Sequence, residues 1–199
     1  MKRVRLFSLI LAGLLLLPLA WFVAAWALYP SDKTPAGAYL RIVAGVNRGR
    51  PEEVFSYLET AAQNGAFTIR DYRRKARERV LAAYPEPERS HLAQAYKAEA
   101  IAADGAAVFA LHARDRGWLN RLRQDMSRID HIEIEGDRAT VQTIRGTRYP
   151  FRRAESGVWG LTLFTATMVA EGNKAARDYG VVQRAAADYE RVRQREKAN

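Results

Sequence analysis

The hydrophobic positions of this chain fall into four successive stretches that differ in pattern from their neighbours. An uncharged apolar run covers residues 6–29, and helical spacing then continues to about Met126. From residue 130 to 163 apolar and polar residues alternate, which is the period of a half-buried strand, and helical spacing returns at Thr165. Helices followed by a block of strands predict an α+β fold, with a helical layer packed on an antiparallel sheet.

The apolar run, residues 6–29, predicts a transmembrane helix. Its 24 residues would extend roughly 36 Å as a helix, against about 30 Å of bilayer hydrocarbon. A basic flank at residues 1–5 and three rings at the far end, Trp21, Trp26 and Tyr29, favour a cytoplasmic N-terminus and a periplasmic domain. We therefore expect a single pass through a bacterial inner membrane. The alternative is a signal peptide cleaved after Ala27, which would release a secreted domain.

Beyond a proline-bounded linker at residues 30–35, we expect one soluble domain over residues 36–195 and a frayed tail at 196–199. Asn64-Gly65 is expected to end the second helix of this domain, and Thr68 to cap the third. A last helical segment, broken near Gly180, is expected to pack back onto the domain. The predicted helices cover residues 36–46, 51–63, 68–84, 90–103, 108–111, 117–126 and 165–195.

The alternating stretch predicts four strands joined by tight turns. The first two flank Gly136-Asp137, a two-residue hairpin signal, and the third carries Tyr149 and Phe151 on one face. Trp159 marks the fourth. Pro150 has no N–H to donate, so we expect the third strand to be an edge strand or a bulged one. Short turns between consecutive strands predict an antiparallel meander.

Composition removes several kinds of site. The chain has no cysteine, which excludes disulfides, thiol nucleophiles and cysteine metal ligands. The three histidines, His91, His112 and His131, lack metal-ligand spacing, and no phosphate loop, dinucleotide turn or nucleophile elbow is present. His112 and Asp115 share a helix face as an acid and base would, but an ordinary polar helix end is the favoured interpretation. We therefore expect no metal, no cofactor and a non-enzymatic role.

The net charge of +10 favours anionic partners. The predicted helix 68–84 concentrates this charge on one face, opposite its apolar stripe. For a membrane-tethered domain such a face predicts contact with anionic lipid or another envelope component, whereas the alternative is a solvated face balanced by Asp71 and Glu78. The predicted export argues against nucleic acid. The candidate contact residues are Arg70, Arg73, Arg74 and Arg77.

Three rings on the predicted strands have two interpretations. They either fill the space between sheet and helices, which we favour, or line a small-ligand or enzymatic pocket there. The rings are Tyr149, Phe151 and Trp159.

The order of these elements resembles a known family. Several helices precede Ile132-Glu-Ile-Glu-Gly-Asp-Arg-Ala-Thr-Val141, which turns into a meander ending in Gly157-Val-Trp-Gly-Leu161. This is similar to the nuclear-transport-factor-two-like proteins that many bacteria export. The resemblance covers at most residues 34–163 and implies a cone-like α+β domain, but it transfers no catalytic residue. The leading hypothesis is a membrane-tethered envelope domain that binds or scaffolds a partner.

Overall fold

The computed structural model describes residues 30–198, and the predicted transmembrane segment lies outside them. From Asp32 onward the chain forms one compact unit with an α+β fold, which confirms that part of the prediction. None of the helices within residues 30–198 combines the length and apolarity that a membrane crossing requires. The elements are α1 (Pro35–Arg48), α2 (Pro51–Phe55), α3 (Thr60–Ala83), α4 (Glu88–Ala95), α5 (Lys97–Ala100), α6 (Gly105–Asp115), α7 (Trp118–Asp125), β1 (Ile129–Glu135), β2 (Arg138–Thr143), β3 (Arg148–Arg153), β4 (Trp159–Leu161) and α8 (Thr165–Ala198).

Local signals place the first helix. The Thr34 hydroxyl accepts a hydrogen bond from the N–H of Gly37 at 3.1 Å, and Pro35 occupies the first turn, where its missing N–H costs nothing. Gly49 ends the helix with a φ of 68°, a conformation that glycine adopts without strain. The predicted first helix is confirmed and extends slightly at both ends.

The break between the next two helices lies earlier than predicted. The N–H of Leu161 donates to the carbonyl of Tyr57 at 2.8 Å, and the N–H of Glu59 donates to the carbonyl of Leu161 at 3.0 Å. Leu58 thus forms a parallel bridge with Leu161, and this attachment to the sheet separates α2 from α3. The predicted stop at Asn64-Gly65 is wrong, because α3 continues through it.

Gly65 serves close helix packing instead of helix termination. A Cβ atom at this position would lie 2.7 Å from the carbonyl oxygen of Met168 in α8, which is closer than atoms can approach. Glycine is therefore the residue that lets the backbones of α3 and α8 meet. The same contact explains why a helix-weakening residue occurs in the interior of α3.

The sheet is the predicted meander, with strand order β1-β2-β3-β4 and every pair antiparallel. The prediction that Pro150 makes β3 an edge strand or a bulged one is wrong, because β3 pairs on both sides without a shift in register. The carbonyl of Pro150 accepts from the N–H of Thr162 at 3.0 Å, just past the last residue of β4. The donor that proline lacks thus faces a position where the ladder has already ended.

The last helix, α8, is continuous, so the predicted break near Gly180 is wrong. It packs along α3, which confirms that the C-terminal segment returns to the domain. The two helices run parallel, as three contact pairs show: Gly65 with Met168, Arg73 with Asp178, and Arg79 with Glu190.

The seam between α3 and α8 has the alternating four- and three-residue spacing of a coiled coil. Along α3 it runs through Ala62, Ala66, Ile69, Arg73, Ala76, Val80 and Ala83. Along α8 the same spacing runs through Met168, Gly172, Ala175, Tyr179, Val182, Ala186 and Tyr189. Glycine or alanine occupies four of the seven positions on α3 and three of the seven on α8, which permits a close approach of the helices.

The apolar interior has two parts. The larger one, which we call the sheet body, lies between the sheet and α1, α2, α6 and the first half of α3. The smaller one, the helical arm, is formed by the second half of α3, α4 and the second half of α8. The buried residues of the arm are Ala76, Val80, Ala83, Tyr84, Ala93, Val182 and Ala186.

Candidate functional site

A groove of about 500 Å³ runs between the start of α3 and the hairpin that joins β3 to β4. We call it the hairpin groove. Its walls come from three places in the sequence: the turn after α2, the first turns of α3, and the hairpin itself. The polar side chains that line it include Ser56, Glu59, Gln63, Asn64, Arg152 and Arg153.

Glu59 fixes the floor of the hairpin groove. One carboxylate oxygen accepts from the hydroxyl of Thr165 at 2.6 Å, and the other accepts from Nη1 of Arg152 at 3.3 Å. Arg152 also donates through Nε to Asp137 at 3.2 Å, and its hydrogen bonds to Asp137 and Glu59 raise the pKa of its guanidinium. These contacts join the starts of α3 and α8 to β3, so the groove has a defined shape.

The electrostatics of the hairpin groove favour a polar or anionic group. Arg153 is exposed, and its guanidinium carbon lies 5.8 Å from the centre of the Trp159 ring, an arrangement that orients the cation without neutralising it. Thr60 and Ala61 also line the groove, and the first N–H groups of a helix have no acceptor within that helix. Arg152 is already paired with Glu59 and Asp137, so the positive charge that favours an anion comes from Arg153.

A second polar cluster lies where the sheet body meets the helical arm. Arg73 donates to Glu99 at 2.9 Å and to Asp178 at 2.7 Å, and Nε2 of His112 donates to the other oxygen of Glu99 at 2.8 Å. The guanidinium carbon of Arg73 also lies 4.9 Å from the centre of the Tyr96 ring. We call these residues the Arg73 cluster. It joins α3, α5, α6 and α8.

The Arg73 cluster lowers the pKa of Glu99. Burial raises the pKa of Glu99, but the hydrogen bond from His112 and the positive charge of Arg73 outweigh it, so the net pKa lies below the ordinary value of 4.5. The histidine is therefore paired with Glu99, and not with Asp115 as its sequence spacing would allow. Its pairing ties α6 to α5, a structural role.

The predicted cationic face of α3 is not one surface. Arg73 is 7% exposed, so its prediction as a solvent-facing contact is wrong. It lies four residues after Ile69 and three before Ala76, and is therefore itself one of the seam positions. Arg70 donates to the carbonyl of Ala102 at 2.9 Å, and Arg74 remains exposed near Asp71 at 3.7 Å. Nε of Arg77 is buried.

The three rings considered for a pocket are packed in the sheet body. Tyr149, Phe151 and Trp159 are 2%, 2% and 3% exposed. Trp159 donates through Nε1 to the carbonyl of Lys33 at 3.1 Å, and burial strongly raises the pKa of Tyr149. These positions correspond to the core-packing interpretation of the sequence.

No group of three metal-ligating side chains converges within residues 30–198. Comparison of the chain with known protein families, curated proteins and solved structures found no match. The resemblance to nuclear-transport-factor-two-like proteins therefore stays a prediction.

The sequence did not indicate the hairpin groove. Its two arginines follow the ring residues of β3 and were visible as a basic pair, but Glu59, Gln63 and Asn64 lie almost ninety positions earlier and belonged to a helix predicted to end there. These polar residues could be recognised as groove residues only after the start of α3 at Thr60 was known, because the sequence pattern placed them at the end of the preceding helix.

Proposed function

We propose that this protein is a non-enzymatic binding module of the bacterial cell envelope, tethered to the inner membrane by residues 6–29. The observation that carries the binding role is the hairpin groove, an open cleft of about 500 Å³ walled by polar side chains from three parts of the chain. Its volume falls in the range of about 300–1,000 Å³ found for ligand sites. The tether is supported by the length and flanking residues of the apolar run.

The non-enzymatic part of the proposal is supported by where the charged side chains are used. His112 and Glu99 are engaged with each other and with Arg73 inside the domain. Arg152 and Glu59 hold the base of the groove together. Asn64 and Ser56 also line the groove and carry hydrogen-bonding groups suited to recognition of a polar partner, beside apolar residues such as Leu58 and Val158.

The binding role is tested by photo-crosslinking in cells. A photoreactive residue at Ala61 or Asn64 would line the groove, and one at Ala187 on the exposed side of α8 serves as the matched control. We expect the two groove positions to give a shared adduct that Ala187 does not give. Adducts that are identical at all three positions, or none from the groove, would contradict the proposal.

The tether is tested separately, by membrane fractionation with intact-mass determination and protease access from the periplasmic side. An uncleaved product that resists carbonate extraction and is digested from outside is the expected result. A soluble product that begins near Leu28 would replace the tether by a secreted form.

A further inference from the structure

The two edges of the sheet are used differently. At one edge, β4 bonds to earlier segments of the chain: the N–H of Leu161 donates to the carbonyl of Tyr57 at 2.8 Å, and the N–H of Trp159 donates to the carbonyl of Asp32 at 3.3 Å. At the other edge, β1 pairs with β2 alone among the described residues. The sheet therefore ends on β1, which is the longest of the four strands, with seven residues.

The outer edge of β1 presents backbone hydrogen-bonding groups. In an antiparallel pair, alternate residues direct their N–H and C=O groups away from the partner strand. Within residues 30–198, no backbone hydrogen bond joins residues 130–135 to a segment other than β2. These groups are therefore available to another extended chain, and the addition of a strand to a sheet edge is a recurring mode of peptide recognition.

One face of β1 is apolar. Ile134 pairs with Ala139, a buried residue, so its side chain lies on the same face of the sheet as the apolar interior. Ile132, two residues earlier, lies on that face as well. Ile134 is nevertheless 58% exposed. Since neighbours across a strand pair share a face, this edge favours an apolar residue at alternate positions of an added strand.

The other face of β1 is acidic. Glu133 and Glu135 alternate with the two isoleucines, and Asp130 adds a third carboxylate near the start of the strand. β1 contains no lysine or arginine, in a chain whose net charge is +10. Charge complementarity therefore favours a basic residue at the remaining alternate positions of an added strand.

The basic side chains near these carboxylates come mainly from the neighbouring strands. Arg148 of β3 donates to Glu133 at 2.8 Å, and Nε2 of His131 lies 3.4 Å from the same carboxylate. Arg138 of β2 is in register with Glu135, but the carboxylate of Glu135 forms no ion pair within the described residues. A cation from an added strand would therefore have its largest effect at Glu135.

We propose that β1 adds a strand from a protein partner, an extended segment in which apolar residues alternate with lysine or arginine. Its apolar side chains continue the row that ends at Ile134, and its basic side chains lie beside Glu133 and Glu135. A second copy of β1 would bring three more carboxylates and no lysine or arginine, so its charges do not match. The hairpin groove lies beside β4, so this site is separate from it and does not depend on the proposed function.

Designed peptides test the chemistry of the partner. Full-length protein in a non-ionic detergent is titrated with a fluorescent octapeptide in which lysine and valine alternate, and binding is followed by anisotropy. The matched control has the same composition with its lysines in one block, and a third peptide alternates glutamate with valine. We expect the alternating basic peptide to bind about tenfold more tightly than either. Equal binding of the two lysine peptides would overturn the proposal.

Hydrogen exchange tests the mode of binding. The alternating basic peptide should slow the exchange of backbone N–H groups in residues 129–135 and leave those of the β3–β4 hairpin unchanged, because an added strand accepts hydrogen bonds from the outer edge of β1. Binding without slower exchange in β1 would overturn strand addition. Exchange in β1 that slows with rising protein concentration, in the absence of peptide, would identify a second copy as the occupant and would also overturn the proposal.

Charge variants test the assignment to the two glutamates. Glu133→Gln combined with Glu135→Gln should weaken binding of the alternating basic peptide roughly three- to tenfold, and added salt should weaken it in the same direction because it screens exposed charges. The matched control, Glu78→Gln with Glu88→Gln, removes the same charge from exposed helical positions and should leave the affinity unchanged. Equal affinities of the two double variants would overturn the assignment to β1.

Discussion

The sheet body and the helical arm are held together by different kinds of contact. In the body, large rings pack at tilted angles around Phe109, whose ring centre lies within 6.1 Å of those of Phe55, Trp118 and Phe164. In the arm the buried residues are mainly alanine and valine, and long polar side chains join the helices at the sides. The body therefore depends on the volume of its side chains, and the arm on close backbone approach.

The polar contacts of the arm are specific. Arg79 donates to both carboxylate oxygens of Glu190, at 2.6 and 2.8 Å, and Arg193 donates to the carbonyl of Ala83 at the end of α3. Such contacts fix which residues of α8 lie beside which residues of α3. Small seam residues alone would allow the helices to slide, so the comparison indicates that charge sets the register where volume cannot.

The largest expected effect is in the sheet body. Phe109→Ala should lower the free energy of unfolding by about 4 kcal/mol, because it removes a fully buried ring and leaves a cavity among rings that cannot close over it. Phe67→Ala is the matched control, since Phe67 is 43% exposed, and should cost about 1 kcal/mol. Urea unfolding of the full-length protein in detergent, followed by circular dichroism, measures both. Equal losses would contradict the assignment of stability to buried volume.

The next largest loss of stability is expected in the Arg73 cluster, where the sheet body meets the helical arm. Arg73→Met should cost about 3 kcal/mol, because it leaves Glu99 and Asp178 without their shared cation; their exposures of 24% and 33% place the loss at the low end for a broken buried pair. The neighbouring Arg74→Met is the control and should cost less than about 0.5 kcal/mol, since that side chain is 48% exposed. The same unfolding measurement applies. Similar losses for both variants would show that Arg73 is no more than a surface residue.

Substitutions at two glycines test whether α3 and α8 depend on a close approach of their backbones. Gly65→Ala should destabilise by about 2 kcal/mol, because its Cβ would meet the carbonyl of Met168 and push α8 away. Gly180→Ala should instead stabilise by about 0.5–1 kcal/mol, since the position is helical and the nearest atom is the flexible end of Arg184 at 3.8 Å. Thermal unfolding of the two variants gives the signs. A stable Gly65→Ala protein would refute the close seam.

The smallest effect is a dependence on pH. Since Glu99 has a folded-state pKa below 4.5, its carboxylate contributes stability that is fully present above pH 4.5 and is lost as the pH falls through the lower folded value. Glu99→Gln should therefore be less stable at neutral pH and show a shallower decline below pH 4.5. Urea midpoints across this range measure the slope. In an Arg73→Met background the substitution should alter the slope less, and an equal change there would contradict the coupling.

Periodicity in the sequence predicted most of the elements. The alternation through Ile132, Val141 and Trp159, and the Gly136-Asp137 turn, determine strands that pair with their sequence neighbours, so a local signal was enough for the whole meander. Helix starts that carry their own cap, such as Thr34 with Pro35, were predicted for the same reason.

The predictions that failed depend on contacts between distant parts of the chain. Gly65 and Gly180 each weaken a helix by themselves. Gly65 is required because α3 packs closely on α8 at this point, and Gly180 is tolerated because the residues on both sides of it continue the helix α8. Pro150 is acceptable in a central strand only because β4 ends beside it. None of these conditions can be read from the residues next to each position.

By itself the sequence determined the α+β class, the order of the strands and the presence of an apolar run long enough to span a membrane, because these follow from periods of a few residues. Only the tertiary structure decided that Arg73 is buried and that Glu59, Asn64 and Arg153 share a groove. The burial of a charge depends on whether Glu99 and Asp178 arrive from elsewhere to pair with it, and a groove depends on which segments meet. Both are properties of the assembled chain.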